Sequence, residues 1–96
     1  MPAYVIFLVD VSDAARYDNY KARSGPSVVS AGGRYLVRGG ESQVLEGDLP
    51  AGRTVVIEFP DVAAARAWYD GPEYSEIRRL REGAADVTLY VVDGVD

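Results

Sequence analysis

Cysteine and histidine are both missing from the 96 residues. Without thiols there can be no disulfide, no thiolate nucleophile and no zinc–thiolate site. Without imidazole the chain loses the commonest general base and the commonest ligand for transition metals and haem. A Ser-His-Asp triad cannot be built. Basic residues are also scarce: ten Lys and Arg against fifteen Asp and Glu leave a net charge of −5. Nucleic-acid binding needs a clustered basic surface, so no nucleic-acid partner is expected. Long apolar runs are absent as well. The start "AYVIFLV" meets Asp10 after seven residues. It is too short to span a membrane and lacks the basic flank and cleavage site of a signal peptide. The expectation is a cytoplasmic chain with no membrane partner. No calcium-loop spacing occurs, and neither a metal nor a cofactor is expected.

What is present reads as one globular domain over residues 1–96, with 48% hydrophobic and 26% charged residues. A domain this small buries a limited share of its surface, which favours self-association. "AYVIFLVD" is apolar on both alternating sets, as a central strand should be. Ser12 is positioned to cap a helix starting at Asp13, and Gly25-Pro26 predicts a break before a second short helix. "RYLVR" predicts a strand over 34–38, "SQVLEG" its continuation or a short strand of its own over 43–47, and "RTVVIEF" a further one over 53–59. Asp61 suits a helix N-cap and Pro72 the first residue of a further helix. "DVTLYVV" predicts a last strand over 86–92. The order β-α-β-β-α-β predicts an α+β, ferredoxin-like split βαβ sandwich, with an antiparallel sheet and its helices on one face. The uncovered face stays apolar, which predicts a homodimer built sheet against sheet.

The segments "GGRYLVRGG", "VLEGD" and "VVIEFPDVAAARAWYDGPEY", with the opening "AYVIFLVDVSD", resemble a bacterial family catalogued as domain of unknown function thirteen-thirty. The resemblance runs over nearly the whole chain and implies the dimeric α/β-barrel version of this fold. It implies no established activity. Members often carry an aromatic or imidazole side chain just before the first glycine pair, where this chain has Ala31.

Two groups of residues are candidates for a ligand site. Trp68, Tyr69 and Tyr74 fall where the second half's first helix ends, either as the wall of a pocket for a small planar molecule or as a core anchor. Arg38 with Glu58 or Glu46 forms the second group. As function, Arg38 would hold a carboxylate or enolate while Glu58 acts as base. As structure, Arg34 or Arg38 would pair with the carboxylate to fix the hairpin or cross the dimer. Strict alternation puts Arg34, Leu36 and Arg38 on one face of their strand and Tyr35 and Val37 on the other. Tyr17 and Tyr20 read as packing residues, and "EIRRLREG" as a solvated face. Neither glycine-containing stretch has the strand-to-helix spacing of a phosphate loop. Two functions stay open: a dimeric module binding a small metabolite between helices and sheet, and a cofactor-independent enzyme of monooxygenase or isomerase type on an aromatic or oxygenated metabolite.

Overall fold

A computed structural model of the chain describes residues 1–95. Strand β1 (Ala3–Val11) leads into helix α1 (Ala14–Ser30), strands β2 (Arg34–Arg38) and β3 (Arg53–Phe59), helices α2 (Val62–Asp70) and α3 (Pro72–Arg78), a short 3₁₀ turn (Arg79–Arg81) and strand β4 (Ala85–Asp93). The four strands form an antiparallel sheet in the order β2-β3-β1-β4. This is the split βαβ topology that the sequence predicts.

The helix-side face of the sheet is the core. Ala3, Val5, Phe7 and Val9 of β1 stand beside Val55, Ile57 and Phe59 of β3, and all seven are buried. Period-two alternation produces this directly. The opposite face has no helix over it. Across it runs an apolar row in which Val37 pairs with Val56, Val56 with Ile6, and Ile6 with Tyr90. Beside that lies a polar row, Arg34–Glu58–Tyr4, in which Arg34 Nε donates to Glu58 Oε1 at 2.7 Å and the Tyr4 hydroxyl donates to Glu58 Oε2 at 3.4 Å.

Three local expectations change. The cap of α1 is Asp13, not Ser12: its extended backbone and its carboxylate, accepting from Arg16 N at 3.1 Å, supply what a helix N-terminus needs. The helix then runs unbroken through Pro26. Proline removes one helical hydrogen bond, but side chains serve neighbouring carbonyls. Ser27 Oγ donates to Ser24 O at 2.7 Å, and Arg38 Nη2 to Lys21 O at 3.0 Å. Burial of Ser24, Gly25, Ser27 and Val28 holds both halves of the helix on the sheet. Finally, residues 43–47 form no strand; Val44, Leu45 and Leu49 lie exposed in the long connection from β2 to β3. The β2–β3 ladder has already ended at Gly39 N to Thr54 O, so this segment has no strand to pair with.

Strand β2 carries the feature that decides the site. Its pairing slips between Tyr35 and Val37, a β-bulge at Leu36. One extra residue in the strand inverts the alternation beyond it. Arg34 and Val37 therefore share the open face, while Tyr35 and Arg38 share the helix side, opposite Ile57 and Val55. This corrects the grouping expected from strict alternation.

Candidate functional site

A cleft opens between α1 and the β2–β3 half of the sheet. Tyr17, Tyr20, Lys21 and Ser24 of α1 line it, facing Tyr35, Arg38 and Arg53 over a floor of Phe7, Val55, Ile57 and Trp68. Its free interior is about 20 Å³, enough for one water. The aromatic side chains themselves fill most of the space.

Arg38 lies across the mouth. Its Cζ sits 4.3 Å from the centroid of the Tyr35 ring, and its guanidinium donates to the Lys21 carbonyl. The close approach needs Gly25 on α1, where a Cβ would stand 3.2 Å from Arg38 Nη1. Contrary to the expected pairing, Arg38 is exposed and meets neither Glu58 nor Glu46. Glu58 faces the other side of the sheet and takes Arg34, at 72% side-chain exposure, as its partner. The bulge is the physical reason, since it sends these two arginines of one strand to opposite faces.

Arg53 enters from the start of β3. It occupies the space beside Gly39, whose φ of 74° already excludes most side chains and where a Cβ would overlap the guanidinium. Deeper in, the hydroxyls of Tyr20 and Tyr74 share a 2.5 Å hydrogen bond. Burial pushes both phenols up, Tyr20 far above its usual range, outweighing the nearby Arg81. Burial raises Tyr17 too, against the pull of Arg53 and Arg81. The phenols are thus held protonated, able to donate hydrogen bonds and unable to serve as bases near neutrality.

Trp68, Tyr69 and Tyr74 do come together, with ring centroids 4.1 Å apart for Trp68 and Tyr74 and 5.9 Å for Tyr69 and Tyr74. Trp68 reaches the cleft floor, and its Nε1 donates to Ser27 Oγ at 3.2 Å. Tyr74 lies behind it, fully buried, and Tyr69 turns toward Arg78, 4.3 Å above its ring. The trio is chiefly a core anchor. Of the five candidates, Arg38 and Trp68 line one cleft, Tyr74 supports it through Tyr20, and Tyr69 and Glu58 lie elsewhere. Tyr17, Tyr20, Tyr35 and Arg53 are the lining residues that sequence reasoning did not single out as a site. A tyrosine pair three apart on α1 was the available signal, but it reads equally as packing. Among the described residues no cluster of Asp or Glu is placed to hold a metal ion.

Residues 2–95 match the family described as Domain of unknown function (DUF1330), and the chain belongs to that family. A protein of unknown function from Rhodopseudomonas palustris, RPA0582, is 25% identical, with a TM-score of 0.77 over 99% of this chain and 83% of its own. Rv0793 from Mycobacterium tuberculosis is 17% identical, with a TM-score of 0.58 over 100% of this chain and 97% of its own. An antibiotic biosynthesis monooxygenase is 16% identical, with a TM-score of 0.54 over the whole of both chains. These likenesses establish the fold of the dimeric α/β-barrel proteins. No curated protein matches the chain. No helix among the described residues is long and apolar enough to cross a membrane.

Proposed function

We propose that this protein is a cytoplasmic homodimer that binds a small metabolite in the cleft between α1 and the sheet. One observation carries the reading: at this cleft the aromatic core, phenolic donors and two arginines without carboxylate partners among the described residues meet the solvent together. The binding reading is favoured over a catalytic one because nothing in the cleft accepts a proton. Among the described residues its lining contains no carboxylate, the Tyr17 and Tyr20 phenols stay protonated, and the chain has no histidine. The alternative, a cofactor-independent enzyme, draws on the fold shared with a monooxygenase. It would need a substrate acidic enough to ionise without a protein base. Amide ¹H–¹⁵N NMR with a panel of small aromatic and oxygenated metabolites tests the reading. Shifts should centre on Tyr17, Ser24 and Tyr35. Shifts confined to the depression beside β4, lined by Tyr69, Leu89 and Val91, would overturn it.

The dimer follows from the open sheet face. Val37, Tyr90 and Val92 are 39–51% exposed there, around the half-buried Ile6, Leu8 and Val56. An obligate interface of this kind buries on the order of 2,000 Å² or more and is apolar at its centre. Light scattering should therefore give twice the 10.4 kDa chain mass. Ile6→Glu places a charge at the middle of the apolar row and should yield a monomer. A wild-type monomer at micromolar concentration would remove the dimer from this reading.

A further inference from the structure

Lys21, Arg38 and Arg53 are the charged side chains lining the cleft, and no carboxylate joins them. In a chain of net charge −5 this is a local reversal of sign. Low-dielectric aromatic walls concentrate such a potential at the opening. Arg34 is paired with Glu58 and Arg66 with Asp70; Arg38 and Arg53, like several surface arginines, have no ion pair among the described residues, but they alone of these line the aromatic cleft. Lys21 meets Asp18 only at 3.9 Å, on the exposed side of α1.

Both guanidiniums already make contacts at the cleft before any ligand arrives, those of Arg38 being exchangeable. Arg38 is seated on Gly25 and the face of Tyr35, and it spends one donor on a neutral carbonyl. Arg53 fills the space beside Gly39, and its Nε is shielded from water with no hydrogen-bond partner among the described residues. A buried donor left unmade is costly, and an incoming oxygen relieves that cost.

We propose that the cleft receives the carboxylate of a small planar acid, with Arg38 and Arg53 gripping it from two sides. This deepens the metabolite-binding reading and rests on it. A guanidinium offers paired, coplanar donors that match a carboxylate, and a charged acceptor makes the stronger bond. Arg38 therefore gains by exchanging the Lys21 carbonyl for the ligand. Its movement also clears the mouth, which solves the problem of an interior with room for only one water. The space it leaves over the Tyr35 ring takes the flat body of the acid against that ring face.

Calorimetry with benzoate, benzamide and inorganic phosphate tests this, with ¹⁵N NMR following the arginine Nε–H signals. Benzoate should bind about tenfold or more tightly than its uncharged match benzamide, because only the carboxylate forms charge-assisted bonds. It should move the Nε–H signals of Arg38 and Arg53. Arg38→Gln and Arg53→Gln should each weaken it by about tenfold, while Arg66→Gln, away from the cleft, should not. If Arg53→Gln unfolds the chain, Arg53→Lys replaces it: it keeps the charge without the fork, and binding between that of wild type and benzamide is expected. Benzamide binding as tightly as benzoate, with cleft shifts, overturns the carboxylate and leaves the metabolite site standing. Phosphate binding as tightly as benzoate also overturns it, in favour of oxyanions at large. If no probe shifts a cleft signal, both readings fall.

Discussion

Replacing Tyr74 with alanine is expected to cost about 3–5 kcal/mol, the range for removing a large buried ring. The side chain is 1% exposed and is packed on by Trp68, Tyr69 and Tyr20. Few neighbours can collapse into the hole, since α3 is pinned by Ile77 on one side and by the cleft floor on the other. Domains of this kind are stable by only about 5–15 kcal/mol in total, so the variant should melt far below wild type or fail to fold. Tyr74→Phe separates ring from hydroxyl. It strands the Tyr20 hydroxyl, and a loss of about 1–3 kcal/mol in urea unfolding is expected. A Tyr74→Phe variant as stable as wild type would show that the 2.5 Å contact between the two hydroxyls contributes nothing net.

Alkaline pH should unfold the protein through the same pair. Tyr20 and Tyr74 have their ionisation suppressed, first by burial. Below about pH 10 both phenols are protonated folded and unfolded, and stability does not depend on them. Above it the unfolded chain sheds protons that the folded chain retains, so stability falls as pH rises. Linkage gives up to about 1.4 kcal/mol per pH unit for a phenol whose ionisation is suppressed as strongly as that of Tyr20, and the raised Tyr74 adds to the loss in the same direction. Tyrosinate absorbance provides the readout. The buried pair should ionise only with unfolding. Ionisation of Tyr20 and Tyr74 in a protein that stays folded near pH 10 would contradict the assignment. A Tyr20→Phe, Tyr74→Phe double variant should lose the steep decline even though its starting stability is lower.

The fold was legible because its signals are local and repetitive. Alternation in β1 and β3, the Asp61 cap and Pro72 at the head of α3 each act within a few residues. Pro26 misled because the one helical hydrogen bond it removes is outweighed by burial of Ser24, Gly25, Ser27 and Val28 on the sheet, which is invisible along the chain. Residues 43–47 misled because apolar side chains alone do not make a strand without a partner edge. At the site, Arg38 and Trp68 were identifiable as unusual residues in apolar surroundings. Their grouping with Glu58 was not recoverable, because the face of Arg38 depends on a bulge that no propensity marks. Arg53, Tyr17 and Tyr35 meet only through the β2-β3-β1-β4 order, a property of the assembled sheet.

The bulge at Leu36 also changes how related sequences should be lined up with this one. Between Gly33 and Gly39 the face of the second arginine depends on whether one residue is bulged out. A chain of the same length without the bulge would regain plain alternation, and its second arginine, then opposite Thr54, would stand on the open face of the sheet instead of over the cleft. Conversely, many replacements at Leu36 itself, 46% exposed and belonging to neither row, would leave both arginines where they are. A gap placed opposite Leu36 in an alignment therefore marks a relative that has lost the bulge and still keeps its second arginine over the cleft, whereas an ungapped relative without the bulge has moved that charge to the open face.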